Sequence, residues 1–458
     1  MSRGTIKSLS GQDDFAPLLK LAIPLVLTGL MESSVGFIST VFLAHLGSRA
    51  LAAGALVTWL NFTLIVALFG IFSSINILIA HKHGAKDEAG IALVLRDGCI
   101  LALILIAPAF LLFWNVSFLY LLFGQSAELT ALANLYLHGL AWGLLPKFIM
   151  IVIFELFLGL GHSRIIMIST LLSIPLYIFF NYALIFGKFG FPMLQIAGAG
   201  WGMTIAEWII TILLCVYLLI DKKYRHTIFA MFTCKRPSHL WELVHLGLPM
   251  GVMYSMEVGF FFAMAILMGL ISVQALAANQ ITMQYLGPLM GVVFCIAQAI
   301  TVRMGHEIGA GNNASASRAA FAGIITAAIP LCIIAVLYWT IPQLFIAIDF
   351  DLHDKANAET IRLAIQFFAI AAFFQIIEAV RIALFGALRG LKDTRYTLFT
   401  SFISFWCIAL PLGYILSIPL HLGGKGFWCA MLLGAICNAI LLYRRLGRRI
   451  KSLIVASY

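Results

Sequence analysis

The sequence predicts an all-α, polytopic membrane protein: about twelve transmembrane helices in two pseudo-symmetric bundles of six. Three observations carry this expectation: scarce charge, recurrent apolar runs and an internal repeat. Only 10% of the 458 residues are charged and 62% are hydrophobic, whereas a soluble domain carries about 25% charged residues. So few charges cannot coat a water-exposed surface of this size. Apolar runs of about 20 residues recur between Ala16 and Tyr443, each long enough to cross the hydrocarbon core as a helix. The runs are continuous instead of alternating, which excludes a barrel, the other fold that satisfies its backbone in lipid.

The elements follow in order. Residues 1–16 form a polar N-terminal segment without the apolar core of a signal peptide. Residues 17–220 hold the first six spans. Residues 221–242 form a basic linker that contains an amphipathic stretch, Thr227 to Phe232. Residues 243–443 hold the second six spans, and residues 444–458 form a basic tail.

The net charge of +10 could suggest nucleic acid, but its distribution argues against that. Lys and Arg gather in alternate loops, as at Lys82, Lys86 and Arg96, at Lys222, Lys223 and Arg225, at Arg389, Lys392 and Arg395, and at Arg444 to Lys451. This positive-inside pattern predicts an inner (plasma) membrane of bacterial type with both termini cytoplasmic. The eight Cys lie singly in or beside apolar segments, which suits small buried hydrophobes and neither disulfides nor a metal site.

The repeat is visible at a shift of 225 positions. Pro24 meets Pro249, Met31-Glu32 meets Met256-Glu257, and Ala50-Leu51-Ala52-Ala53 meets Ala275-Leu276-Ala277-Ala278. His81, Gly84 and Ala85 meet His306, Gly309 and Ala310. Later, with the shift grown slightly to 231, Gly159-Leu160-Gly161-His162-Ser163-Arg164 meets Gly390-Leu391-Lys392-Asp393-Thr394-Arg395. Two generic Leu-rich helices would not share Pro, Glu, His and Gly in one register. The copies are parallel repeats, the arrangement in which two bundles rock about a shared site in secondary transport. The sequence holds no selectivity-filter motif and no phosphate-binding loop. Energy is therefore expected from an ion gradient, H+ or Na+, with no cofactor, no metal and no enzymatic activity.

Charges inside spans are costly and usually functional. Glu257 and Glu378 fall deep in the seventh and tenth spans, and as a pair sharing a cavity they are the expected coupling acids. Arg381 follows Glu378 by three residues. It is expected to snorkel toward the headgroups, the alternative being a pair with Glu378. Glu32 is the repeat mate of Glu257 and either lines the path or pairs with Lys147. Lys147 stands where Glu378 stands in the other half. Glu155 is expected near the interface and Glu207 in a structural role. Asn181, Tyr254, Asn279, Gln280, Gln284 and Gln375 are polar groups that could face a cavity, and nearby Met and aromatic side chains could adapt to apolar cations.

These residues resemble the MATE (multidrug and toxic compound extrusion) family. The segments that carry the resemblance are Met31 to Ala53, with Phe37-Ile38-Ser39-Thr40 and His45-Leu46-Gly47, its repeat at Met256 to Gln280, Asn181 to Gly187, and Leu388 to Thr394. The resemblance covers nearly the whole chain. It implies a twelve-helix antiporter, NorM-like, that takes H+ or Na+ inward and moves small organic cations outward. It matches Glu257 and Glu378 to the coupling acids of the second half, and Asp349, Asp351 and Asp354 to acids near the extracellular mouth. It also exposes a departure. Many bacterial members carry Asp where this chain has Ser39, and some carry a further acid where it has Ile185, so Ser39 is a cavity residue without a coupling charge. The expected partners are membrane lipids and small organic cations, with the protein a monomer and H+ favoured over Na+. A flippase of lipid-linked or anionic substrates is the rival reading, and it would need Lys147 and Arg381 as free cavity cations.

Overall fold

The computed structural model describes residues 12–233, 238–348, 350–351 and 357–455. Asp349 and Asp354 lie outside the described residues, and Asp351 is exposed. The helices are α1 (Gln12–His45), α2 (Ser48–Gly84), α3 (Glu88–Asn115), α4 (Ser117–Leu122), α5 (Ala127–Ala141), α6 (Leu144–Gly159), α7 (Ser163–Phe186), α8 (Ile196–Ile220) and α9 (Lys222–Thr233). They continue with α10 (Leu240–Ile271), α11 (Val273–Gly309), α12 (Asn313–Thr340), α13 (Pro342–Ile346), α14 (Ala358–Gly390), α15 (Thr394–Ser401), a π-helix (Phe402–Ala409), α16 (Leu410–Ser417) and α17 (Gly424–Val455). Among the described residues, eleven spans are long and apolar enough to cross a membrane, one of them running through α15, the π-helix and α16. The pair α5 and α6, bent by 52°, brings the number to twelve when counted as one broken span.

The chain forms two compact units, residues 27–251 and residues 1–26 with 252–458. Their boundaries fall inside α1 and α10. In the unit of residues 27–251, α8 packs most extensively on α7 and α5, and α2 on α6. Small residues permit this. A Cβ on Gly198 would meet the Leu184 carbonyl at 2.6 Å, and one on Gly200 would meet the Tyr136 carbonyl at 2.3 Å. Close backbone approach is how helices gain packing energy in lipid, where water drives nothing.

In the other unit α14 is the central helix, packed on α11, α12 and α17. Its run from Ile382 to Gly390 is wholly buried. Phe367, Phe368, Phe374, Tyr338 and Trp428 form an aromatic core around it. The π-helix just precedes Pro411, whose missing N–H cannot continue the α-helical ladder. Wide turns of this kind re-aim side chains and recur at functional sites.

The repeat reappears as geometry. Four turns, α2/α3, α6/α7, α11/α12 and α14/α15, share one backbone path. Each has a left-handed residue, Lys86 (φ 57), Gly161 (φ 80), Gly311 (φ 79) and Lys392 (φ 59). Each closes with a bond from an amide to the carbonyl five residues earlier: Asp87 to Lys82, 2.9 Å; His162 to Phe157, 2.7 Å; Asn312 to Glu307, 2.8 Å; Asp393 to Leu388, 2.9 Å. Helix contacts repeat too. A Cβ on Gly159 would lie 3.0 Å from the Asn76 carbonyl, and one on its mate Gly390 would lie 3.2 Å from that of Thr301, the mate of Asn76.

Candidate functional site

Glu378 and Arg381 stand one turn apart on α14, so they share a face. Arg381 does not snorkel. Its Nε donates to Glu378 Oε2 at 2.8 Å and one Nη to Glu378 Oε1 at 2.5 Å. The other Nη donates to Glu257 Oε1, on α10, at 2.8 Å. The side chains of Arg381, Glu378 and Glu257 are 3%, 5% and 13% exposed, so this is a buried charged triad. The guanidinium is held instead by the Glu378 carboxylate, whose fork it matches with two parallel bonds. The Phe405 ring lies 5.1 Å from the guanidinium carbon, so cation–π attraction adds to the pairing. With all three groups ionised the formal charge is −1.

Glu257 also lines a narrow crevice with Met253, Met256, Phe402, Phe405 and Trp406. Three of those side chains belong to the π-helix, and the Trp406 indole donates to the Met256 carbonyl at 3.1 Å.

About two turns beyond Arg381 along α14, the sequence places Arg389 among cytoplasmic loop residues. In the structure it is fully buried in α14. One Nη donates to the Tyr254 hydroxyl at 3.0 Å, and the Phe385 ring lies 5.3 Å from the guanidinium carbon. Tyr254 is therefore held by Arg389 as well as lying one turn from Glu257.

The unit of residues 27–251 holds a second charged cluster. Lys147 pairs with Glu207 of α8 at 3.4 Å, and the Tyr177 hydroxyl of α7 also bonds Glu207. Glu32 acts on Lys147 through space but is not its bonded partner. Gly143 permits this arrangement, since a Cβ there would come within 2.9 Å of Glu207 Oε2. Glu155, expected at an interface, is buried and accepts a bond from Asn76. It lies about one turn before the end of α6 at Gly159, and Asn76 of α2 satisfies it there.

The remaining candidates divide by burial. Ser39 is buried beside the Tyr136 hydroxyl. Asn181 is buried and its amide donates to the Tyr177 carbonyl at 2.8 Å. Asn279 is buried, whereas Gln280 and Gln284 are exposed. Gln375 is wholly buried and donates to the Leu331 carbonyl of α12 at 3.3 Å, a helix-packing contact. Sequence reasoning missed Tyr177 as a partner of Glu207, and Phe405 and Trp406 as walls of the Glu257 crevice. The only available signal for these two was Pro411 shortly after them.

A model of the MatE family matches residues 24–183 and 249–415. The chain belongs to the MATE family. The two matched segments begin at Pro24 and Pro249, the same register as the internal repeat. Among MATE relatives, a "Probable multidrug resistance protein NorM" of Burkholderia pseudomallei is 31% identical over 435 residues, 95% of this chain and 92% of that protein. One of Synechocystis sp. is 30% identical over 449 residues, 97% of each. A MATE-family transporter solved in an outward-facing conformation superposes with a TM-score of 0.85 at 18% identity, over 96% of each chain. The eukaryotic MATE transporter AtDTX14 superposes at 0.80 and 17% identity, over 98% of this chain and 100% of that one. This chain is thus a NorM-like member of a multidrug transporter family.

Proposed function

We propose that the protein exports small organic cations in exchange for protons, by alternating access of its two halves, with Glu257 and Glu378 as the coupling acids. The observation that carries this reading is the triad. Two acids from separate helices converge on one buried guanidinium, and a site with net charge −1 attracts one more monovalent cation. A proton and an organic cation that compete for that charge, or favour opposite states, are coupled without further machinery. The protein would sit in the inner membrane with both termini in the cytoplasm, as its basic loops suggest. The multidrug names of the relatives support an organic-cation substrate.

The flippase reading needs free cavity cations. Lys147 and Arg381 are both bonded to carboxylates, so neither is available to a pyrophosphate, and the antiporter reading is favoured.

The test is efflux of a fluorescent organic cation from proteoliposomes under an imposed pH or Na+ gradient. The expected result is efflux driven by the pH gradient and lost in Glu257→Gln and Glu378→Gln. Efflux that survives both substitutions would place the coupling acid elsewhere, with Glu32 next in line.

A further inference from the structure

We propose that Arg381 sets both the identity and the number of the coupling ions. It acts as a tethered cation that fills three of the four carboxylate oxygens of the Glu257–Glu378 pair. It leaves Glu257 Oε2 to take one proton and leaves too few oxygens for Na+. This inference rests on the proton-coupled reading above.

The count comes from the bonds. Both oxygens of Glu378 and Oε1 of Glu257 accept from Arg381. Among the described residues no bond is made to Glu257 Oε2, and the Glu257 side chain keeps its 13% exposure on the crevice side. A proton needs a single acceptor oxygen. Hard metal cations gather about six oxygens when fully coordinated. The crevice offers little beyond Glu257 itself. Its walls are Met253, Met256, Phe402, Phe405 and Trp406, and the one hydroxyl, Ser401 Oγ, already accepts from Asn438 at 3.1 Å. The crevice has room for roughly one water. A dehydrated Na+ here would have one carboxylate oxygen, one shared hydroxyl and that water.

Charge fixes the stoichiometry. A proton from solvent forms an O–H bond at Glu257 Oε2 and takes the triad from −1 to 0. A monovalent organic cation nearby neutralises the same single charge. One replaces the other, so exchange moves no net charge across the membrane.

Wild-type protein gives the first test. Proteoliposomes carrying a fixed pH gradient accumulate a monovalent dye such as ethidium, and a K+/valinomycin potential is then imposed. The accumulation ratio should not change, whereas each net charge moved would change it about 50-fold per 100 mV. Such a change would overturn the count. The second test is Arg381→Gln, which frees all four oxygens and leaves the site at −2. The variant should bind radiolabelled Na+ and show Na+-driven dye efflux that the wild type lacks. Arg381→Lys keeps the charge but loses the fork, so it should show the same gain more weakly. It decides the matter if the Gln variant is not monodisperse after purification. If the wild type is driven by Na+, the proton-coupled reading itself fails. If the wild type is proton-driven and folded Arg381 variants ignore Na+, that reading stands and the role of Arg381 falls.

Discussion

The two charged clusters have the same formal composition, one cation and two glutamates, but are built differently. In one, Arg381 grips Glu378 with two bonds and Glu257 with a third, and its side chain is 3% exposed. In the other, Lys147 touches Glu207 at 3.4 Å with its side chain 26% exposed, and Glu32 is an exposed residue without a direct bond to it. Arginine presents a planar fork that fixes its partners in place, whereas lysine presents a compact, strongly hydrated point charge. The first cluster is therefore a closed set of fixed bonds, and the second is a looser, wetter one that leans on the Tyr177 hydroxyl for its geometry.

Removing the cation from each cluster should separate them most clearly. Arg381→Met strands two buried carboxylates, and breaking a buried pair from one side costs about 3–5 kcal/mol. Lys147→Met strands a carboxylate that keeps the Tyr177 bond and some water, and should cost about 1–2 kcal/mol. Thermal unfolding in detergent, followed by tryptophan fluorescence, reads both. Equal losses would show that the fork adds nothing over a point charge.

A second contrast lies at the ends of the spans. The repeat mates His162 and Asp393 occupy the same position in their turns but hold the following chain by different chemistry. Asp393 accepts from Arg445 Nε at 2.8 Å and Arg449 Nε at 2.9 Å, both on α17. His162 Nε2 lies 2.9 Å from Lys223 Nζ, and its Nδ1 lies 3.0 Å from the Tyr224 hydroxyl, both on α9. An ammonium cannot accept, so Nε2 accepts, and the neutral ring carries its proton on Nδ1 and donates to Tyr224. Burial, then the positive charges of Lys223 and His83, push the His162 pKa from 6.5 down to about 4, against an opposing pull from Asp221. The sign follows. The unfolded chain takes up a proton near pH 6.5 and the folded one resists until about 4. The contribution of this contact is therefore complete above pH 6.5 and is lost as pH falls toward 4. His162→Phe should flatten the decline of the unfolding temperature across that window. An unchanged slope would assign the decline to other groups.

Sequence alone made the architecture legible because it is written in repeated, rigid features: apolar length, Pro24 with Pro249, and glycines at shared turns. It also picked Glu257 and Glu378 as a pair, because a carboxylate in a span is rare enough to stand out. Partner choice was not legible. Arg381 has two physically sound options, headgroup or carboxylate, and only the approach of α10 to α14 decides between them. Lys147 could reach Glu32 or Glu207, and the bend between α5 and α6 together with Gly143 selects Glu207. Arg389 reads as a loop cation because three basic residues lie close together in sequence, whereas α14 continues to Gly390 and carries it into the interior.

The smallest expected effect comes from two versions of one turn. The α2/α3 turn carries Lys86 at φ 57, and its copy between α11 and α12 carries Gly311 at φ 79. A side chain in the left-handed region costs about 1–2 kcal/mol, and glycine avoids that cost but loses more chain entropy on folding. Lys86→Gly should therefore stabilise by a net of about 0.5–1 kcal/mol. Gly311→Ala should destabilise by a similar amount, and the comparison is free of steric terms because a Cβ at Gly311 meets nothing within 4 Å. The two unfolding temperatures should move in opposite directions. If both fall, Lys86 makes a contact worth more than the strain of its backbone, and the two turns are alike in path but not in energetics.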